Sequence, residues 1–351
     1  MKTVYLDILE NYKNEIKSGK YKPHDKLPSV REIMKIHNVS INTANRVISE
    51  IINLKLGYHI NGVGTFLNEP SKDIAILTTI DIIEQKQGKW HKSLFNHLIK
   101  HLLMHGYVPK ISFERDPLDP NDNIKYSHLE EKRILNTIGG ALLPLHTYME
   151  DVLAENNITF VESCMAVPRF KCCTVLNYDK LVEIAVNILK EKKIDRYDVM
   201  YFNFERDNNP YHSEKMRELV TSITDEKNKY IMVDASTGYR SYLTSARETF
   251  VNWWNQKDRP DTLFILEDNI LDVILEDIKN LGIKIGSDLK IITHASSEYL
   301  FDSNVSLYKV GFDVDEVAEK LVNLLDKKLK DPNYNEIIYI DPKVSIGDSL
   351  G

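Results

Sequence analysis

The chain has 351 residues, is 42% hydrophobic and carries a net charge of −7. That length allows two or three domains, and no apolar run approaches the ~20 residues that span a bilayer, so no membrane partner is expected. The charge is uneven. Residues 1–67 hold ten Lys and Arg against six Asp and Glu, so a locally basic head on an acidic body still suits a nucleic-acid partner.

The first residues, Met1 to Tyr5, lack the apolar stretch of a signal peptide, which predicts a cytoplasmic protein. Cys164, Cys172 and Cys173 have no metal-ligand spacing and are read as buried thiols. No metal or cofactor is expected.

Val4, Leu6, Ile8, Leu9, Tyr12 and Ile16 recur at helical spacing and predict a first helix that ends at Ser18-Gly19. Pro28 and Ser29 open a second helix, with Glu32 three residues after Ser29 as in a capping box. Asn38-Val39-Ser40 is read as a turn, followed by a third helix over 41–54. Its buried face is Ala44, Val47, Ile48, Ile51 and Leu54, and its outer face is Asn42, Asn45, Arg46 and Ser49. Such polar side chains at the start of a helix can bond base edges in a major groove. Residues 58–60 and 65–67 flank Asn61-Gly62-Val63-Gly64, a predicted β-hairpin with an Asn-Gly turn.

These motifs, Gly19 with Pro23, Lys26 to Ser29, Arg31 and Glu32, then Val39, Ser40, Asn42 and Thr43, then Gly57, Gly62, Gly64, Thr65 and Phe66, resemble the GntR family of winged helix–turn–helix repressors. The resemblance implies double-stranded operator DNA as partner. It places contacts on Lys26, Ser29 and Arg31, on Ser40, Asn42, Thr43, Asn45 and Arg46, and on the wing tip at Asn61, Gly62 and Gly64. Many members carry Arg where this chain has Ile41 and Asn45, which points Asn45 and Arg46 to a different base sequence.

Asn68 to Asp73 is polar, contains Pro70 and is read as linker. Beyond it, predicted strands alternate with amphipathic helices, the pattern of a parallel α/β domain. Strands are expected at 74–80, 107–113, 140–145, 158–162, 199–203, 230–234, 262–266 and 290–293. Helices are expected at 93–105, 148–155, 180–190, 213–224, 241–255, 270–281 and 315–330.

The run from Arg259 to Asp268, RPDTLFILED, and that from Leu281 to Ile292, LGIKIGSDLKII, resemble the effector domain of the LacI/GalR family, related to periplasmic binding proteins. A GntR-like head on this body resembles the arabinose-repressor subgroup. The expected architecture is therefore α/β: a winged helix–turn–helix at 1–68, a linker at 69–73, and a two-lobed domain with parallel sheets at 74–351. Lobe one is placed at about 74–194 plus 303–331, and lobe two at about 195–300 plus 335–349.

In such folds the ligand lies between the lobes at strand C-terminal ends. The residues that the resemblance or their position suggests there are Thr79, Asp81, Trp90, His146, Asn177, Arg217, Asp268 and His294. Thr79, Asn177, Arg217 and Asp268 together favour a neutral, polyol-like ligand. The resemblance also implies a homodimer through the helices near Leu94 to His105 and Val317 to Leu325.

No GxSxG, Walker A, GxGxxG or HExxH motif occurs, so an enzyme is not expected. The reading is a repressor of sugar-catabolism genes, released by a small sugar. A purine or amino-acid effector, or a metabolite-binding protein without DNA control, stay open as alternatives.

Overall fold

The computed structural model describes residues 4–79, 89–114, 135, 137–144, 149–203, 210–234 and 239–351. The head is three helices and a two-stranded wing. Helix α1 spans Val4–Lys17, α2 Val30–His37 and α3 Ile41–Asn53; strand β1 spans Gly57–Ile60 and β2 Gly64–Leu67. They enclose a small core of Ile8, Leu9, Tyr12, Leu27, Ile33, Val47 and Ile51.

Local chemistry fixes each helix end. Ser29 and Glu32 form the complete capping box that starts α2. Asn38 adopts a left-handed conformation at φ 50° to end it, and the Ser40 hydroxyl accepts from the Thr43 amide to start α3. The wing pairs antiparallel, Ile60 opposite Gly64. Its turn is centred on the expected Asn61-Gly62 pair. The Val63 amide donates to the Ile60 carbonyl at 3.0 Å, and only Gly62 of the central pair has positive φ, at 75°. Residues 24–27 run beside β2, with Leu27 N–H donating to Thr65 O at 2.8 Å.

The body has two six-stranded sheets among the described residues. One sheet orders β13-β7-β6-β5-β3-β4. Its strands are β3 (Asp73–Thr79), β4 (Val108–Glu114), β5 (Gly140–Leu143), β6 (Phe160–Met165), β7 (Cys173–Leu176) and β13 (Ile337–Ile340). The other orders β14-β12-β11-β10-β8-β9. It holds β8 (Asp198–Asn203), β9 (Tyr230–Asp234), β10 (Thr262–Ile265), β11 (Lys290–His294), β12 (Tyr308–Gly311) and β14 (Lys343–Ser345). Only β14 pairs antiparallel in these two sheets, against β12. Strands β5, β7, β10 and β12 are buried at every position, as expected where helices cover both faces of a parallel sheet.

Those helices are α4 (Lys89–Met104), α5 (Glu150–Glu155), α6 (Tyr178–Glu191), α7 (Pro210–Ser222), α8 (Tyr239–Trp254), α9 (Asp268–Asn280) and α10 (Val314–Lys330). No helix among the described residues is long and apolar enough to cross a membrane.

The chain passes between the sheets three times: from β7 through α6 to β8, from β12 to α10, and from β13 to β14. Two of these passages correct the expected lobe boundaries. Residues 308–311 form a strand of the second sheet, although 303–331 was expected in lobe one. Residues 337–340 form a strand of the first, although 335–349 was expected in lobe two. Backbone pairing decides this: β12 bonds along β11, and β13 along β7. The strands β7, β12, β13 and β14 are all additions to the predicted set.

Candidate functional site

On the head, α3 buries Ala44, Val47, Ile48 and Ile51 and leaves Asn42, Asn45 and Arg46 exposed. Arg46 is not a free surface charge. Its guanidinium lies 3.9 Å from the centre of the Tyr5 ring on α1, a stacking contact that orders a planar cation. Arg31 is exposed on α2, and Asn61 and Gly62 are exposed at the wing tip.

Several expected contact residues also serve the fold. The Ser29 hydroxyl donates to Glu32 Oε2 at 2.7 Å, and Ser40 Oγ lies 3.0 Å from Thr43 Oγ1. Lys26 lies against the wing, where a Cβ on Gly64 would come within 2.6 Å of its Cε. Arg31, Asn42, Asn45, Arg46 and the wing tip thus form an exposed polar surface over a small apolar core.

The body places its polar chemistry where β10 meets α9. Strand β10 is wholly apolar after Thr262, and Glu267 and Asp268 follow Leu266 directly. Both carboxyls are buried, at 6% and 7% exposure. Burial, then repulsion from Asp272, pushes the Asp268 carboxyl up to about 7. Burial, then the charge of Asp268, raises Glu267 well above the ordinary carboxylate range. Lys89 reaches across from α4 in the first lobe to Asp272 at 2.7 Å, and to the Leu300 carbonyl at 3.3 Å. Ser93, also on α4, donates to Glu298 at 2.6 Å. These contacts clasp the two lobes on one side.

His294 ends β11 in the same region. Its ring meets Tyr178 at 5.3 Å and Phe312 at 5.5 Å, residues at the start of α6 and just after β12, on two of the crossing segments. Its Nδ1 lies 3.1 Å from the Leu266 carbonyl. A carbonyl only accepts, so Nδ1 carries the hydrogen and Nε2 presents a lone pair. Burial holds this imidazole down at about 4, hence neutral. Enclosed atoms without a hydrogen-bond partner among the described residues occur here: His294 Nε2, Glu267 Oε1, Ser296 Oγ and Tyr299 OH. Native interiors satisfy nearly all such groups, so a cluster of them marks a place built for something else.

The structure sets Asp268 and His294 on either side of Leu266, whose carbonyl bonds the His294 ring, and gives other expected contacts further partners. Both ends of the Asn177 carboxamide are engaged: its oxygen accepts from Lys180 N at 3.2 Å to cap α6, and its nitrogen donates to Asp341 at 2.9 Å. Trp90 is half-buried and packs against the main apolar core. Arg217 is exposed on α7, outside the buried set. The backbone of Thr79 ends β3, while Asp81 and His146 lie outside the described residues. Sequence reasoning missed Lys89, Asp272, Glu267, Ser296 and Tyr299. Two adjacent acids directly after an apolar strand were the one available signal.

These parts define a class: a winged helix–turn–helix joined to a two-lobed domain of the binding-protein type. The profile of bacterial regulatory proteins of the gntR family matches residues 4–67, and that of the periplasmic binding protein-like domain matches residues 186–350. The head thus matches a family of bacterial regulatory proteins, and the later part of the body matches a periplasmic binding protein-like domain.

Among curated relatives, the HTH-type transcriptional repressor NagR of Bacillus subtilis is 34% identical over 86 residues, covering 24% of this chain and 35% of that protein. The arabinose metabolism transcriptional repressor of Halalkalibacterium halodurans is 33% identical over 90 residues, covering 22% and 24%. The chain thus spans about a third or less of the length of these two relatives. Solved structures align over about four-fifths of the chain. A periplasmic binding ribose operon repressor protein from Lactobacillus acidophilus has a TM-score of 0.59 at 16% identity, covering 81% of this chain and all of that one. A LacI family transcriptional regulator from Bifidobacterium animalis has 0.61 at 14%, covering 81% and 99%. At these identities the likeness is one of fold.

Proposed function

We propose that this chain is a DNA-binding transcriptional repressor whose grip on its operator is released by a small sugar-sized metabolite held between the lobes. The observation that carries the reading is the coexistence, in one chain, of the exposed α3 and wing surface with a buried, partnerless polar cluster at the lobe junction. The head supplies Arg31, Arg46, Asn42 and Asn45 for phosphates and base edges. The body supplies a site whose occupancy can change how the lobes sit. A coupling of about 1–3 kcal/mol between the two sites suffices to change operator occupancy several-fold or more.

We place the homodimer face at the C-terminal end of the first of the two expected helix segments and on the strand that follows it. Leu94, Leu98, Leu102, Val317 and Leu321 are consumed by the chain's own core. Leu103, Met104, Val108 and Ile111 remain 57%, 71%, 43% and 44% exposed at the end of α4 and along β4. Strand β4 ends its sheet among the described residues, and an apolar edge of this kind favours pairing with a second copy. Two heads related by a two-fold axis would meet a pseudo-palindromic site.

A mobility-shift assay on the DNA upstream of the protein's own gene tests the reading. Retarded DNA that is released by a sugar or sugar derivative is the expected result. Absence of any shift would remove the DNA half, and a shift that no metabolite alters would remove the switch.

A further inference from the structure

We infer that the interlobe site takes a ligand bearing a protonated amine, rather than a neutral polyol or a sugar phosphate. This rests on the lobe junction being the effector site. Three carboxyl groups, those of Glu267, Asp268 and Asp272, stand there at the N-terminal end of α9, two of them almost wholly enclosed. Among the described residues, the cation that reaches them is Lys89, and its Nζ bonds Asp272. Lys309, also buried, donates instead to the backbone carbonyls of Ser297 and Tyr299, both at 2.8 Å. Asp268 is faced by Glu267 and Asp272, by Lys89 from α4, and by Tyr299; the Tyr178 hydroxyl from α6 senses both Glu267 and Asp268. Among the described residues, three acids thus face one cation.

The open hydrogen-bonding groups point the same way. His294 Nε2 offers a lone pair, and Glu267 Oε1 lacks a donor. The Ser296 and Tyr299 hydroxyls can act in either sense. Among the described residues the site is thus rich in acceptors and short of positive charge. A buried charge without a partner is costly, and a ligand that brings both donors and a cation removes that cost. A phosphate would add to the repulsion. A neutral polyol would satisfy acceptors and leave the charge unbalanced. Without ligand the imbalance is relieved by protons on Glu267 and Asp268, and amine binding releases the more acidic of them, that on Asp268, to solvent.

The test uses the full chain and matched pairs of probes: glucosamine with glucose, galactosamine with galactose, and putrescine with 1,4-butanediol. Affinities are read by calorimetry from pH 5.5 to 8.5. The expected result is an amine that binds at least about tenfold more tightly than its neutral partner. Its affinity should rise about tenfold per pH unit below the Asp268 pKa, then flatten for putrescine and fall again for the amino sugars as their own amine loses its proton. Measurements of wild type in buffers of different ionisation enthalpy should give about one proton released at pH 6, and Asp268→Asn should erase the preference. The inference is overturned if the neutral member binds equally well, if glucose 6-phosphate is the tightest probe, or if no amine binds. In each of those cases operator release by a non-amine metabolite would leave the regulator reading standing, whereas loss of operator binding itself would remove both.

Discussion

Replacing Asp268 by Asn should change how the stability of the ligand-free protein depends on pH. The Asp268 carboxyl is raised from 3.8 to about 7, by burial first and by Asp272 second. The folded chain therefore holds a proton between about pH 4 and 7 that the unfolded chain has already lost. Because the folded state binds more protons there, unfolding free energy falls as pH rises through that window and levels off above it. At ~1.4 kcal/mol per unit, the whole shift is worth about 4 kcal/mol. Asn keeps the shape and cannot ionise, so the variant should match wild type near pH 4 and exceed it by up to about 4 kcal/mol at pH 8. Urea unfolding followed by tryptophan fluorescence suits the measurement, since Trp253 is buried in the second lobe with its indole N–H on Asp198 at 2.8 Å. A stability difference between the two proteins that stays constant from pH 4 to 8 would show that Asp268 is not held protonated, and the argument about its surroundings would fail.

Ser29→Ala should destabilise the head by ~1 kcal/mol, because it removes the capping box that starts α2; thermal melting of the full chain at the head transition reads this. Arg31→Ala should weaken operator binding by about 1–3 kcal/mol and lower the slope of log affinity against log salt by about one, measured by fluorescence anisotropy. Gly62→Ala places a side chain at φ 75° and should cost ~1 kcal/mol in wing stability with a matching loss of operator affinity. Ile111→Lys, on the exposed β4 edge, should shift sedimentation from dimer towards monomer without lowering the melting temperature of the monomer.

The head was legible because its signals are local. Ser29 and Glu32, Ser40 and Thr43, and the wing glycines each announce a backbone conformation within a few residues, and α3 buries four of the five residues that its spacing marked, with Leu54 capping it instead. The alternating body was legible where strands are long and apolar. The missed strands are three or four residues long, and their places come from partners far along the chain. In β12 the buried Lys309, tied to two carbonyls of the preceding loop, disguises an interior strand as a polar one. In β13 the chain has just left α10, and nothing in Ile337–Ile340 says which sheet it rejoins. The cleft was only half legible for the same reason. Asp268 follows a recognisable strand, but Lys89 stands opposite Asp272 across 183 positions of sequence. Asn177, a polar residue at a strand end, also caps the helix that follows.

The segment from β12 to β14 has a consequence for assembly. It lays a strand in one sheet, a helix and a strand against the other, and a final strand back in the first. A body cut before residue 308 would leave β7 and β11 as raw borders, one in each half. Neither half is then a self-sufficient folding unit, and the two should melt as one cooperative event. A protease nick in this stretch would undo both together, whereas the head, with its own apolar centre, could survive it.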